Sequence, residues 1–295
     1  MASKIYSHSK LCTFEQCPLK YRLKYIDKIK PEIEMTIEAH LGSVVHDTLE
    51  WIYNSVRENP EKIPNMDDIV RHYLEAWQKN WKKEILIVKK QFTQKDYLNK
   101  GIQFLADYFQ RYYPFKDGTI ECEKKIIIEL NEEIKIRGFI DRLVHNIETG
   151  EYEIHDYKTA NTLPTQEKMD EDRQLALYSI AIKELYGEDK EVVLVWHYLA
   201  HDHKITSKRT KEQLENLKEE TKTLIRQIEE TKEFIPRTSI LCEWCEYKSL
   251  CPEWNFQLDE NLSEKILSKR INPFPEFNGD ENRKELDIWD ENPIS

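Results

Sequence analysis

Glycine is scarce in this chain, seven in 295 residues. None falls in the G-x-x-x-x-G-K-[ST] spacing whose backbone amides would cradle nucleotide phosphates, so the sequence holds no ATP-driven motor of that type. No apolar run approaches the ~20 residues needed to cross a bilayer as a helix. The opening MASKIYSHSKL has no charged-then-apolar leader pattern. A cytoplasmic protein with no membrane contact is therefore expected. Positive charge is also lacking: the formal net charge is −11. That excludes nucleic-acid binding through bulk basicity, but it allows a local basic channel beside bound cations. The six cysteines, in a chain of cytosolic character, do not read as a disulfide framework.

Apolar residues make up 39% of the chain and charged residues 34%, enough to fill one large core beneath a heavily charged surface. Residues 8–29 read as helix with a Cys17-Pro18 step. In GSVVHDTLEWIYNSVRE (42–58), Val45, Leu49, Ile52 and Val56 recur at helical spacing. Pro60 and Pro64 punctuate. Residues 66–113 then read as helical, with Trp77, Trp81, Phe104, Tyr108 and Tyr112 forming a stripe of core type. At 120–130, 133–145 and 151–159 the period changes to two, predicting a three-stranded meander turned at Glu148-Thr149-Gly150. A helix over 166–186, a buried strand over 192–199 and a charged helix over 209–232 follow. This order describes an α/β fold, a mixed sheet flanked by helices. Five regions are expected: N-terminal helices to residue 58, a helical insertion over 59–118, a core over 119–208, a helix with a cysteine-rich clasp over 209–256, and an acidic, flexible tail over 257–295.

Two neighbouring strands carry the sharpest chemistry. Asp141 stands in RGFIDRL, and Asp156 and Lys158 stand in HDYKT. The short turn between these strands allows Asp141 and Asp156 to lie side by side, and the two-residue spacing puts Asp156 and Lys158 on one face. Converging carboxylates repel unless a cation sits between them. Mg2+ or Mn2+ prefers oxygen ligands, binds a scissile phosphate oxygen and acidifies a water. Lys158 would orient that water or neutralise charge on the phosphate.

Near the C-terminus, Cys242, Cys245 and Cys251 follow a C-x2-C-x5-C spacing that points to a metal with a remote fourth ligand. Structural zinc usually offers a second close pair, which is missing here. A [4Fe-4S] cluster needs four thiolates and often recruits one from a distance. Zinc held with Cys17 or a histidine is the alternative, and a zinc-clasped interaction module with no nucleic-acid role is the third and weaker reading of the chain. Cys17 and Cys12 are the candidates for the remote position, while Cys122 reads as a small buried hydrophobe.

Four blocks together resemble the PD-(D/E)XK nuclease superfamily in its RecB-like branch, from residue 7 to residue 251. SHSKLCTFEQCPLKYRLKY is similar to the family's opening helix and GSVVHDTLE to its G-x-x-x-H motif. GFIDRL and HDYKT match its two catalytic blocks, and RQLALYSIA its Q-x-x-x-Y motif. The resemblance implies a restriction-endonuclease-like core in which Asp141 and Asp156 are metal ligands and Lys158 is the catalytic lysine. It also implies His46 as a further metal ligand, the Tyr157 carbonyl within reach of the metal, and Gln174 and Tyr178 beside the site on one helix face. Asp156 stands where Glu is commoner, which stays within the pattern. The cysteines resemble those of AddB-type and CRISPR-associated RecB-like nucleases, whose [4Fe-4S] cluster takes one cysteine before the core and three after it. That implies Cys17, which precedes proline, as the partner of Cys242, Cys245 and Cys251. Such a clasp closes a loop whose entropy is roughly 5 kcal/mol.

The function so implied is a metal-dependent DNA nuclease, an exonuclease on single-stranded or end-bearing DNA, working in repair, recombination or CRISPR adaptation with a helicase, recombination or CRISPR partner. A catalytically silent DNA-binding or scaffold subunit is the alternative. His197, His201 and His203 read as surface or DNA-facing residues. Arg137, Arg142 and Arg173 flank the proposed site, available to phosphates or to local acids, and Lys20, Arg22 and Lys24 suggest a basic edge.

Overall fold

Six strands hydrogen-bond into one mixed sheet in the computed structural model, which describes residues 3–255; the expected tail over 257–295 lies outside the described residues. The strands are β1 (Lys4–Tyr6), β2 (Thr119–Glu129), β3 (Ile134–His145), β4 (Tyr152–Lys158), β5 (Val192–Tyr198) and β6 (His203–Lys208). Their order is β1-β3-β4-β5-β6, with β2 also paired to β3. The predicted meander β2-β3-β4 is present, all antiparallel. β4 and β5 run parallel and β5 and β6 antiparallel.

Two strands escaped the sequence pattern. β1 is three residues long, too short to show a period, and pairs in parallel with β3 from Lys4↔Ile134 to Tyr6↔Ile136. β6 buries only Ile205 and Ser207, so its apolar signal is a single residue. Because β1 takes residues 134–136 of β3 and β4 takes residues 142–145 on the same path through the sheet, the stretch 137–141 has no strand partner on that edge.

Helices cover both faces. On one side lie α1 (His8–Gln16), α7 (Arg173–Tyr186) and α8 (Lys211–Glu230), closing a core that includes Ile126, Ile136, Ile154, Leu177, Leu194 and Ile225. Beyond α1 the Cys17-Pro18 step starts α2 (Pro18–Tyr21), with Pro18 in the first helical turn, where its missing N–H costs nothing. A short α6 (Gln166–Asp170) precedes α7. On the other side α3 (Ile37–Glu58), α4 (Met66–Asn80) and α5 (Gln94–Tyr112) enclose Leu49, Tyr53, Trp77 and Tyr108, with Tyr157 of β4 joining them from the sheet.

The helical pattern expected over 66–113 is two helices. A capping box of Asn65 and Asp68 starts α4, and a second, Thr93 with Asp96, starts α5. Reciprocal capping satisfies the free amides of each first turn, so the second box begins a new helix at Gln94. Each helix buries an aromatic-rich face: Tyr73 and Trp77 on α4, Tyr97, Phe104 and Tyr108 on α5.

Candidate functional site

β3 and β4 separate one residue short of the acid pair. Their ladder ends at Arg142↔His155. β4 then stays with β5, through Asp156↔Trp196 and Lys158↔Tyr198, and leaves β3 behind. At the mouth of this fork the Tyr157 N–H donates to Asp141 Oδ2 at 3.0 Å. A side-chain carboxylate thus accepts the bond that the diverging ladder no longer offers, as a buried amide requires.

β2 and β3 change face at the same level. Ile136, Ile140 and Leu143 all belong to the core on the α7 side, whereas Arg142 points to the α5 side, bonding Tyr157 and Tyr108. The two-residue alternation of β3 therefore slips by one at Asp141–Arg142. On β2, Ile126 joins the α7-side core and Cys122 packs on the other, so that strand slips between them. The pairs Cys122↔Arg142 and Lys124↔Ile140 place Glu123 across from Asp141, and Glu123 has a φ of 48°, the left-handed region that side-chain-bearing residues seldom adopt.

α3 brings the histidine. Thr36 caps its first turn by accepting from the Ala39 N–H. Gly42 then lets the helix pass close to the residue after Lys158, since a Cβ there would stand 3.3 Å from Thr159 Oγ1. One turn on, His46 Nε2 lies 2.7 Å from the Tyr157 carbonyl oxygen and Nδ1 lies 3.3 Å from Asp141 Oδ2. A neutral imidazole carries one ring proton. Both ring nitrogens of His46 face an oxygen, so a single ring proton can serve only one of them. Burial, and next the neighbouring Asp156, push the Asp141 carboxyl up to about 7, against the pull of His46 and the Tyr157 N–H. Oxygen and imidazole donors around a poorly compensated, half-buried acid suit a hard divalent cation such as Mg2+ or Mn2+.

Asp156 is 4% exposed and is held by the lysine two residues on. Lys158 Nζ is 2.9 Å from Oδ1 and 2.7 Å from Oδ2. Burial opposes the charge on Lys158, but Asp156 and then Asp141 more than offset it and hold its pKa above the ordinary value. Gln174 Nε2 donates to Asp156 Oδ1 at 3.4 Å, a long bond. Tyr178, one turn along α7, lies beside Gln174 with its hydroxyl pKa raised by burial, and its ring covers Gly138, where any Cβ would collide with it.

The sequence did not single out Glu123. Its carboxylate and ligand atoms of His46 and Asp141 all lie within 4.8 Å of one another. An acid in IECEKKIIIEL looks like any solvent-facing strand residue; only hairpin register, counted across to Asp141, would have exposed it.

Some flanking residues lie elsewhere than expected. His197 is 3% exposed and not on the surface, because β5 is an interior strand covered on both faces. Its Nε2 is 2.8 Å from His155 Nδ1, and its Nδ1 is 3.2 Å from the Tyr112 hydroxyl. Arg142 is wholly buried behind the sheet, where phosphate cannot reach it, and pairs with Asp117. Arg173 pairs with Glu15 and donates to Cys12 Sγ. Arg137 is exposed. His201 meets the Asn161 carbonyl and His203 is exposed. The basic edge is partly neutralised: Lys20 and Lys24 pair with Glu246, and Arg22 with Asp27.

The cysteine segment docks on the N-terminal one. The Arg237 N–H donates to Cys17 Sγ at 3.4 Å, and the Arg237 guanidinium donates to the Glu15 carbonyl. The Tyr247 hydroxyl donates to the Ile29 carbonyl at 3.1 Å, and the Glu32 N–H to the Glu246 carbonyl at 3.1 Å. Among the described residues no three cysteine sulfurs lie within 4.8 Å of one another. Cys122 packs against the α3–α5 core, and burial pushes its thiol up to about 11. No helix among the described residues is long and apolar enough to cross a membrane.

The family model of the PD-(D/E)XK nuclease superfamily matches residues 5–252. An ATP-dependent helicase/deoxyribonuclease subunit of Carboxydothermus hydrogenoformans is 28% identical over 244 residues, covering 75% of this chain and 22% of that protein. The Gene 69 protein of Mycobacterium phage D29 is 25% identical over 202 residues, 61% of this chain and 70% of that one. A solved structure of an exonuclease-named protein from Eubacterium rectale aligns with a TM-score of 0.49 and 12% identity, covering 90% of this chain and 93% of its own. The chain thus spans 22% of the length of the first of these relatives.

Proposed function

The chain belongs to the PD-(D/E)XK nuclease superfamily, and from that premise we propose that it is a divalent-metal-dependent deoxyribonuclease, an exonuclease acting on single-stranded or end-bearing DNA. One observation carries this reading: the Asp141 carboxylate, the His46 imidazole and the Tyr157 carbonyl converge at the β3/β4 fork with the Lys158–Asp156 pair beside them. DNA as the substrate, and a helicase as partner, are supported by the relative named for a helicase/deoxyribonuclease. Recombination and CRISPR adaptation are the other settings in which such a nuclease would meet ends.

Asp141, Asp156, His46 and the Tyr157 carbonyl would hold Mg2+ or Mn2+. The cation, when bound, would neutralise charge on the phosphate and acidify a water. Asp156 keeps Lys158 protonated and aimed. The lysine Nζ then donates to a phosphate oxygen or orients the attacking water, supplying positive charge where negative charge develops. Gln174 steadies Asp156 from α7, and Tyr178, seated on Gly138, fixes that part of the helix against β3.

Cys17, Cys242, Cys245 and Cys251 form the second part of the proposal, a [4Fe-4S] clasp with zinc as the alternative occupant. The contacts that join residues 15–32 to residues 237–247 support it, since they bring the two cysteine-bearing segments together. We assign the helical region over 59–118 as an insertion that walls the α3 side of the core.

The test uses end-labelled single- and double-stranded DNA with Mn2+. The wild-type chain should shorten the DNA, and Lys158→Ala and Asp141→Ala should each cut the rate by about a hundredfold or more. Equal cleavage by all three proteins would remove the proposed site. DNA binding without cleavage by the wild type would make the chain catalytically silent instead.

A further inference from the structure

The carboxylates of the site are unevenly provided with positive charge. Asp156 has Lys158 on both of its oxygens. Asp141 has only an amide and an imidazole. Glu123 lies across the β2/β3 register from Asp141, with its carboxylate within 4.8 Å of ligand atoms of both Asp141 and His46. Its nearest charged neighbours besides His46 include another acid, Glu50, one turn beyond His46 on α3. No lysine or arginine among the described residues is paired with Glu123. The Glu123 side chain is exposed, and among the described residues no basic group but His46 is set beside its carboxylate, on a strand position whose φ of 48° side-chain-bearing residues seldom adopt.

We propose that Glu123 is a further ligand of the divalent cation, bound from the β2 side opposite Asp156. The proposal rests on the metal-dependent reading above and deepens it. Glu123 would add a carboxylate to those of Asp141 and Asp156, and His46 and the Tyr157 carbonyl complete a mixed nitrogen and oxygen set of the kind Mn2+ accepts. Asp156 would bind the ion from the β4 side and hold Lys158 beside it.

The test measures Mn2+ binding to the full chain, by electron paramagnetic resonance of the free ion, for the wild type, Glu123→Gln, Glu123→Gly, Asp141→Asn and the control Glu129→Gln. Glutamine keeps the shape of Glu123 and removes its charge. Glycine adopts positive φ without penalty, so that variant should melt no lower than the wild type. Asparagine at 141 still offers an oxygen to the Tyr157 N–H and so keeps the fork. Both Glu123 variants should weaken Mn2+ by about tenfold or more, and Glu129→Gln should not. Wild-type affinity in both Glu123 variants, with Mn2+ lost in Asp141→Asn, would overturn this assignment and leave the nuclease reading standing. Wild-type affinity in Asp141→Asn as well would remove the metal site itself.

Discussion

Arg142 Nε donates to the Tyr157 hydroxyl at 2.8 Å in the layer behind the site. Tyr157 therefore works in three directions: its N–H serves Asp141, its carbonyl faces His46, and its hydroxyl is pinned by an arginine with no exposure. The other two guanidinium nitrogens reach Asp117, Thr119, Tyr108 and His155, and the guanidinium carbon sits 4.0 Å from the centre of the Tyr53 ring. Each nitrogen of the group has a partner.

Breaking that pin should cost stability. Tyr157→Phe leaves a buried, charged donor unpaired, with an expected loss of about 1–3 kcal/mol. Arg142→Met leaves the buried Tyr157 and Tyr108 hydroxyls and His155 without that donor, with a loss of about 1–3 kcal/mol, while the exposed Asp117 is solvated. Equilibrium urea denaturation measures both. A Tyr157→Phe protein as stable as the wild type would mean that the hydroxyl contributes nothing to holding the site.

Two buried histidines and one half-buried set an acid limit on the fold. Burial, followed by Arg142 for His155 and by His155 for His197, drives both well below the ordinary value, and burial with Arg173 lowers His8 from 6.5 to about 4. The folded chain refuses protons that the unfolded chain accepts. Their contribution is therefore complete above about pH 6.5, where both states are neutral, and falls away as pH drops from there toward about 4. Each refused proton costs up to about 1.4 kcal/mol per pH unit. Melting temperature followed from about pH 7.5 to about pH 5 should fall, and His155→Gln should flatten the fall. A wild-type curve level across that range would contradict the buried neutral state.

Metal loss at the clasp should be visible. Anaerobically purified protein is expected to carry iron and absorb near about 400 nm. Cys17→Ser, Cys242→Ser, Cys245→Ser and Cys251→Ser should each lose the colour and melt lower, whereas Cys12→Ser and Cys122→Ser should keep it. Colourless protein with one zinc per chain would replace the cluster with the alternative.

Local pattern made the strands of Asp141, Asp156 and Lys158 legible, because period two in RGFIDRL and HDYKT is carried by adjacent residues. His46 needed the company of other blocks, since a histidine on a helix says nothing about what lies across from it. The fork was not legible: it arises because β4 follows β5, a strand about forty residues later in the chain, and no local pattern records that. The same holds for His197, whose burial follows from the interior place of β5, and for Glu123, whose role depends on register and on a backbone angle. What the sequence withheld was therefore long-range pairing, while composition and period revealed most of the elements.

The bond from the Tyr157 amide to Asp141 makes one carboxylate answer to two demands. Deleting a reactive acid commonly strengthens a protein, because a desolvated and repelled charge disappears. Here the deletion would also orphan an amide inside a central strand, so the gain is offset. A descendant that abandoned the chemistry would still be under pressure from its own architecture to retain the aspartate.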